Sequence, residues 1–224
     1  DMADEKTTRE WSNYFEQKGY KVVLVNSSKG TGINDIFKSS ESLMKEKIER
    51  LKKRGRIFVP IRAMIVGIPN VGKSTLINKC VGKGITQTGD RPGVTRNKQW
   101  VKVRKDFELL DTPGILWPKF EDEQVGLNLA FTGAVKDDVM DIFNLGCKLA
   151  ETLYLEYPIP LSERYKINLD ESDLKGHEIL HLIGEARGFK QKGGTIDTEK
   201  AAIILLDEFR GCKLGRISLE RPEV

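Results

Sequence analysis

The residues of this chain best placed to do chemistry are Gly67-Ile-Pro-Asn-Val-Gly72-Lys73-Ser74, which fit G-x-x-x-x-G-K-[ST]. The glycines let backbone amides turn toward a polyphosphate with no Cβ in the way, and a helix N-terminus adds partial positive charge. In such a loop Lys73 meets the outer phosphates and the Ser74 hydroxyl meets Mg²⁺. The neighbouring Asn70, Val71, Gly72 and Thr75 complete the phosphate cradle. The elements around it agree. Arg62-Ala-Met-Ile-Val66 reads as a strand entering the loop, and Thr75 to Lys79 as the helix leaving it.

A second phosphate motif, Asp111-Thr-Pro-Gly114, follows the apolar run Phe107 to Leu110. Its Asp suits a water-mediated contact to Mg²⁺, and its Gly amide a contact to a γ-phosphate. The same four residues also make an ordinary turn, and it is the position downstream of the P-loop at a strand end that favours phosphate. Between the motifs, Thr95 is the favoured second hydroxyl for Mg²⁺, which takes few protein ligands. Thr86, Thr88 and Thr112 are its rivals. A loop held by Mg²⁺ and the γ-phosphate is ordered by triphosphate and released on hydrolysis, so Ile85 to Arg96 and Ile115 to Gln124 read as two switches. Lys73, Thr95 and Gly114 are the catalytic candidates. Ser74, Thr95 and Asp111 are the metal candidates.

The bulk properties suit a protein with a real core: 224 residues, 39% hydrophobic and 31% charged. No apolar run approaches a membrane span. The three cysteines, Cys80, Cys147 and Cys212, are scattered, which argues for a reducing compartment. Residues 1–118 hold 23 Lys and Arg against 13 Asp and Glu, whereas residues 119–224 hold 14 against 20. This asymmetry divides the chain into a basic α/β domain, 1–118, and a mostly helical domain, 119–224.

Within the first domain, Thr8 to Lys18 has helical spacing and is stopped by Gly19. Tyr20 to Asn26 reads as a buried strand, and Ile33 to Lys53 as an amphipathic helix. Lys98 to Val103 and Phe107 to Leu110 read as paired strands, with helices expected on both faces of the sheet. Beyond Pro118, helical patterns run over Val125–Val135, Asp138–Tyr154, His177–Ala186 and Thr198–Glu208. Gly215 to Leu219 is the one candidate strand there.

A reader of guanine, [NT]-K-x-D, is missing after Asp111-Thr-Pro-Gly114. Upstream, however, Ser27-Ser28-Lys29 follows the run ending at Asn26. It is similar to the S-A-K loop that backs a guanine base, and Asp1 fits the last residue of an [NT]-K-x-D motif. The chain thus resembles the circularly permuted GTPases of the ribosome biogenesis GTPase A (YlqF) type. The most specific stretches are Gly67 to Asn78, Thr88 to Thr95 and Leu109 to Asp122. The resemblance implies a P-loop GTPase domain with permuted motif order, its sheet incomplete at the amino end, followed by a helical domain. It implies hydrolysis of GTP to GDP in late maturation of the large ribosomal subunit, contact with ribosomal RNA, a bacterial-type cytoplasmic setting (a mitochondrial one left open) and no DNA. It places Asp1, Asn26, Ser27, Ser28 and Lys29 around guanine. In related GTPases an Asn at the position of Asn70 holds K⁺. Ile115 stands where other GTPases often carry a water-orienting Gln, so unassisted turnover is expected on the order of 10⁻⁴ to 10⁻² s⁻¹.

RNA-contact candidates are the basic run Lys45 to Arg56 and the cluster Arg187, Lys190, Lys192, Lys200, Arg210, Lys213 and Arg216. Two other functions compete. His177-Glu178-Ile-Leu-His181 matches the zinc-peptidase pattern H-E-x-x-H, but an ordinary packing helix is the preferred reading, given the neighbouring Leu180, Leu182 and Ile183. An inactive nucleotide-sensing module is the other, against which the intact Lys73, Ser74, Thr95 and Asp111 argue.

Overall fold

A computed structural model describes residues 2–82, 99–114, 122–135, 140–170 and 172–222. Asp1, Thr86, Thr88, Thr95 and Ile115, and most of both expected switches, lie outside the described residues. The chain divides into two compact units, one built on Lys6–Trp117 and one on Pro118–Glu220, the latter joined by residues 2–5.

The first unit holds α1 (Glu5–Gln17, from its second residue), α2 (Ile33–Lys53), β1 (Ile61–Ile65), α3 (Lys73–Val81), β2 (Gln99–Arg104) and β3 (Phe107–Asp111). The three strands form a sheet in the order β1-β3-β2. β1 runs parallel to β3, with Ile61 opposite Phe107 and Ile65 opposite Asp111, while β2 runs antiparallel to β3. Alternation along the strands sends Ile61, Val103, Phe107 and Leu109 to one face, where they pack with Ile33 and Phe37 of α2 and Ile77 and Cys80 of α3.

Both packed helices therefore cover one face, not two as expected. The opposite face carries the Arg62–Glu108 ion pair at 2.8 Å and leaves Met64 and Trp100 59% and 54% exposed. The run Tyr20 to Val25 is not a strand: it pairs with no described strand, and Tyr20 and Leu24 are 64% and 49% exposed. A β-branched apolar run becomes a strand only when a neighbour supplies its ladder, and here only Asn26 bridges, to Thr31.

The second unit is helical: α4 (Glu123–Phe131), α5 (Ile142–Glu156), α6 (Pro158–Tyr165), α7 (Gly176–Ala186) and α8 (Thr198–Arg210). Asp122, Asp141 and Asp197 cap α4, α5 and α8 through their side chains. Leu149 and Leu153 of α5, Ile179, Leu180 and Ile183 of α7, and Leu205 and Leu206 of α8 fill the core. Residues 215–219 form no strand. Arg210, nominated for RNA, is tied down instead: its guanidinium donates to the carbonyls of Phe131 at 3.0 Å and Ala130 at 2.9 Å, closing the end of α4.

Candidate functional site

β1 delivers the chain to Gly67, and α3 carries it away from Lys73. Gly72 caps α3 with φ 92°, a left-handed conformation that a residue with a Cβ adopts only under strain. The first intrahelical bond runs from the Leu76 amide to the Gly72 carbonyl. Helix geometry thus leaves the amides of Lys73, Ser74 and Thr75 without intrahelical acceptors, the arrangement an anion needs. Asn70 is also left-handed, at φ 57°, and forms the bend of the loop.

Parallel pairing of β1 with β3 sets Asp111 at the same strand end as the loop. Its side chain is buried at 1% exposure. The Thr112 hydroxyl donates to the Ile65 carbonyl at 2.6 Å, pinning the strand ends together. That bond gives Thr112 a structural role. Gly114 then comes against the loop: a Cβ there would stand 2.8 Å from both N and Cα of Pro69 and 3.1 Å from Lys73 Nζ. The Lys73 ammonium donates to the carbonyls of Gly67 at 3.0 Å and Ile68 at 2.5 Å. One strand end therefore gathers the amides at the start of α3, an ammonium, the Ser74 hydroxyl, a buried carboxylate and a glycine backbone. Oxygen donors beside an amide nest fit a nucleotide triphosphate with a hard cation.

Among the described residues, the base-reading candidates Asn26, Ser27, Ser28 and Lys29 form a turn of their own. Asn26 Oδ1 accepts from the Lys29 amide at 2.9 Å, and the Asn26 carbonyl from the Gly30 amide at 2.7 Å, so Ser27-Ser28-Lys29 is a tight turn. Gly32 closes it so tightly that a Cβ would lie 2.1 Å from the Leu24 carbonyl oxygen. The turn leads into α2, whose Asn34 accepts from Arg104 at 2.8 Å and whose Phe37 meets the Phe107 ring edge-on at 5.0 Å. Arg104 and Phe107 face each other at the start of β3, four residues from Asp111. That is about 13 Å of strand away from the phosphate end.

His177 and His181 stand one turn apart on α7, and Glu178 turns back to accept from the Lys175 amide at 2.7 Å, capping the helix. No group of three or more His, Cys, Asp or Glu side chains among the described residues is arranged to hold a metal. Sequence reasoning missed the Gly114–Pro69 approach, which no residue pattern signals, and the hydroxyl tie of Thr112.

A strand, a glycine-bent loop, a helix and a buried Asp at the end of the adjacent parallel strand define a P-loop nucleotide-binding protein. The family model described as "50S ribosome-binding GTPase" matches residues 62–153. Ribosome biogenesis GTPase A of Bacillus cereus is 47% identical, over 100% of this chain and 75% of that protein. The protein of the same name from Thermotoga maritima is 30% identical, over 100% and 74%. The GNP-bound structure of YlqF from T. maritima matches with a TM-score of 0.61 at 28% identity, covering 100% of this chain and 78% of that one. A GDP-bound TM YlqF structure matches at 0.65 and 27% identity, covering 99% and 80%. The chain belongs to the ribosome biogenesis GTPase A family, with its YlqF-type, circularly permuted GTPase fold. It is accordingly a GTP-binding, GTP-hydrolysing enzyme.

Proposed function

We propose that this GTPase acts as an assembly factor in late maturation of the large ribosomal subunit, in a bacterial-type cytoplasm, and that its helical unit contacts ribosomal RNA. The observation that carries the catalytic half is the approach of Gly114 to Pro69 and Lys73, which puts both phosphate motifs on one strand end. Gly72, Lys73 and the first amides of α3 hold the phosphates, with Asn70, Val71 and Thr75 shaping the loop. The Gly114 amide faces the γ-phosphate. Ser74 and Thr95 would supply hydroxyls to Mg²⁺, with the Asp111 carboxylate behind them, and the cation would neutralise phosphate charge there. The chain's own part is positioning: Lys73 offsets developing negative charge, and the buried setting of Asp111 keeps that charge field fixed.

Guanine falls to Asn26, Ser27, Ser28, Lys29 and Asp1 in this reading, which requires the turn to reach the Asp111 end of the sheet. Amide exchange over residues 26–32 checks this: protection on adding GDP supports the assignment, and none removes it. Asn70 is assigned a K⁺ beside the phosphates.

The test of the whole reading is GTP and ATP turnover in K⁺ and in Na⁺, with and without isolated large subunits. GTP preference, K⁺ stimulation and acceleration by the subunit are expected. Equal rates in K⁺ and Na⁺ would end the K⁺ assignment, and indifference to the subunit would end the assembly reading.

A further inference from the structure

Two cavities among the described residues of the helical unit share a single residue, Lys166. The first, about 730 Å³, is lined by Phe143, Ile167, Leu174 and Leu182 below and by His177, His181, Glu185 and Asn168 among its polar residues. The second, about 500 Å³, lies between the end of α6 and the turn at Leu214 and is lined by Arg164, Lys166 and Lys213 with Glu163. Lys166 stands at the junction in a left-handed conformation, φ 56° and ψ 43°, as the C-cap of α6. A lysine held at positive φ is uncommon and strained, so the backbone here favours glycine while the chain carries an ammonium.

We propose that these paired cavities bind one unpaired RNA nucleotide, its base in the first and its phosphate in the second, with Lys166 between them. The inference rests on the RNA-contact reading of the helical unit and names its site. The first cavity has the size of small-ligand pockets. It combines a phenyl ring and two imidazoles for stacking with Asn168 and Glu185 for the hydrogen-bonding edge of a base, the means by which single-stranded RNA is recognised. Glu185, on the same helix as the two imidazoles, offers an acceptor for an exocyclic amine. The second cavity is basic. Arg164 is held by Glu208, at 2.9 Å from Nε, and neither Lys166 nor Lys213 makes an ion pair among the described residues. Two ammonium groups without a carboxylate partner suit a phosphate, which accepts Lys as a point charge. An RNA fits this pairing of aromatic slot and basic cleft better than an unmodified protein does, because every nucleotide presents an aromatic ring and a phosphate at a fixed short spacing.

The probe is a fluorescein-labelled single-stranded oligoadenylate, read by polarisation over a salt series, beside a duplex RNA of equal length and isolated large subunits. The variants are Lys166→Gly, which keeps the backbone conformation, Lys213→Gln, and the exposed pair His177→Ala with His181→Ala. Circular dichroism checks that each stays folded. Wild type is expected to prefer the single strand. The imidazole variant should bind it about tenfold more weakly at an unchanged salt slope. The combined lysine variant should weaken binding and flatten the slope by about one. Variants that bind oligoadenylate as wild type does, or a preference for duplex, would overturn the nucleotide site while leaving RNA contact standing. Loss of subunit binding with oligoadenylate binding intact would assign the cavities to a protein and overturn it as well. Wild type that binds neither RNA nor subunits would sink both readings.

Discussion

At the scale of single residues, the site turns on a contact that lacks side-chain chemistry of its own. Gly114 has no room for a Cβ against Pro69, so Gly114→Ala must push the second phosphate motif off the loop. Only a γ-phosphate needs the Gly114 amide. The expected outcome is a fall of about 10²-fold in GTP turnover, comparable to losing one donor to a transition state, with GDP affinity changed far less. Calorimetry with GDP beside a phosphate-release assay separates the two, and equal losses would contradict the assignment. In the helical unit, Glu208 takes both ends of the Arg164 guanidinium, at 2.9 and 2.5 Å, and Arg187 at 3.3 Å. The Arg164 hydrogen bonds hold the Glu208 carboxyl below its ordinary value despite partial burial. Burial and the nearby carboxylate push the Tyr165 phenol up, and its hydroxyl has no well-formed hydrogen bond among the described residues. A lowered carboxyl pKa adds stability above the unfolded-state value, and that stability is lost as pH falls through the folded one. Glu208→Gln should therefore cost about 1–3 kcal/mol at neutral pH, with the difference from wild type shrinking on acidification. Urea titrations at several pH values measure it, and a gap that widens toward acid would refute the account.

At the scale of elements, the helical unit depends on close crossings. Gly146 of α5 faces α8 so closely that a Cβ would sit 2.5 Å from the Ala202 Cβ, and one at Gly176 would sit 2.2 Å from the Cys147 carbonyl oxygen. Gly146→Ala should destabilise by about 1–3 kcal/mol through overpacking, and adding Ala202→Gly should recover part of that. Denaturant midpoints of the single and double variants decide it, since strictly additive losses would mean the two helices do not meet there. The elements also mark how far the sequence could be read. β1, α3, β3 and the long helices were legible because periodicity and glycine placement act locally. α6 was missed because Pro158 and Pro160 look like breakers, yet in a first turn a proline gives up no helical hydrogen bond. Tyr20 to Val25 was over-read, because an apolar run states a need for burial and not which neighbour meets it. The phosphate residues were legible as a motif, but the approach of Gly114 to Pro69 depends on strand register, which no single segment encodes.

At the scale of the whole molecule, two separate cores sit on one chain. Among the described residues, twenty form the buried core of the helical unit and eight the core around the sheet. Apolar area removed from water sets most of the folding free energy, so the sheet unit is expected to be the less stable of the two. That is also the unit that carries the P-loop. A ligand that binds only a folded unit stabilises that unit by mass action, by about 2.7 kcal/mol at a hundredfold excess over its Kd. Thermal unfolding should therefore proceed in two steps and not one. Adding GDP with Mg²⁺ should raise the lower step toward the upper while leaving the upper in place. The charge asymmetry adds a further signature. Salt screens the excess of like charge in the basic half, so moderate salt should also raise the lower step. Differential scanning calorimetry with and without GDP tests the assignment. A single transition that moves as a whole with nucleotide would show the two cores to be energetically one, and a shift confined to the upper step would place the nucleotide on the helical unit.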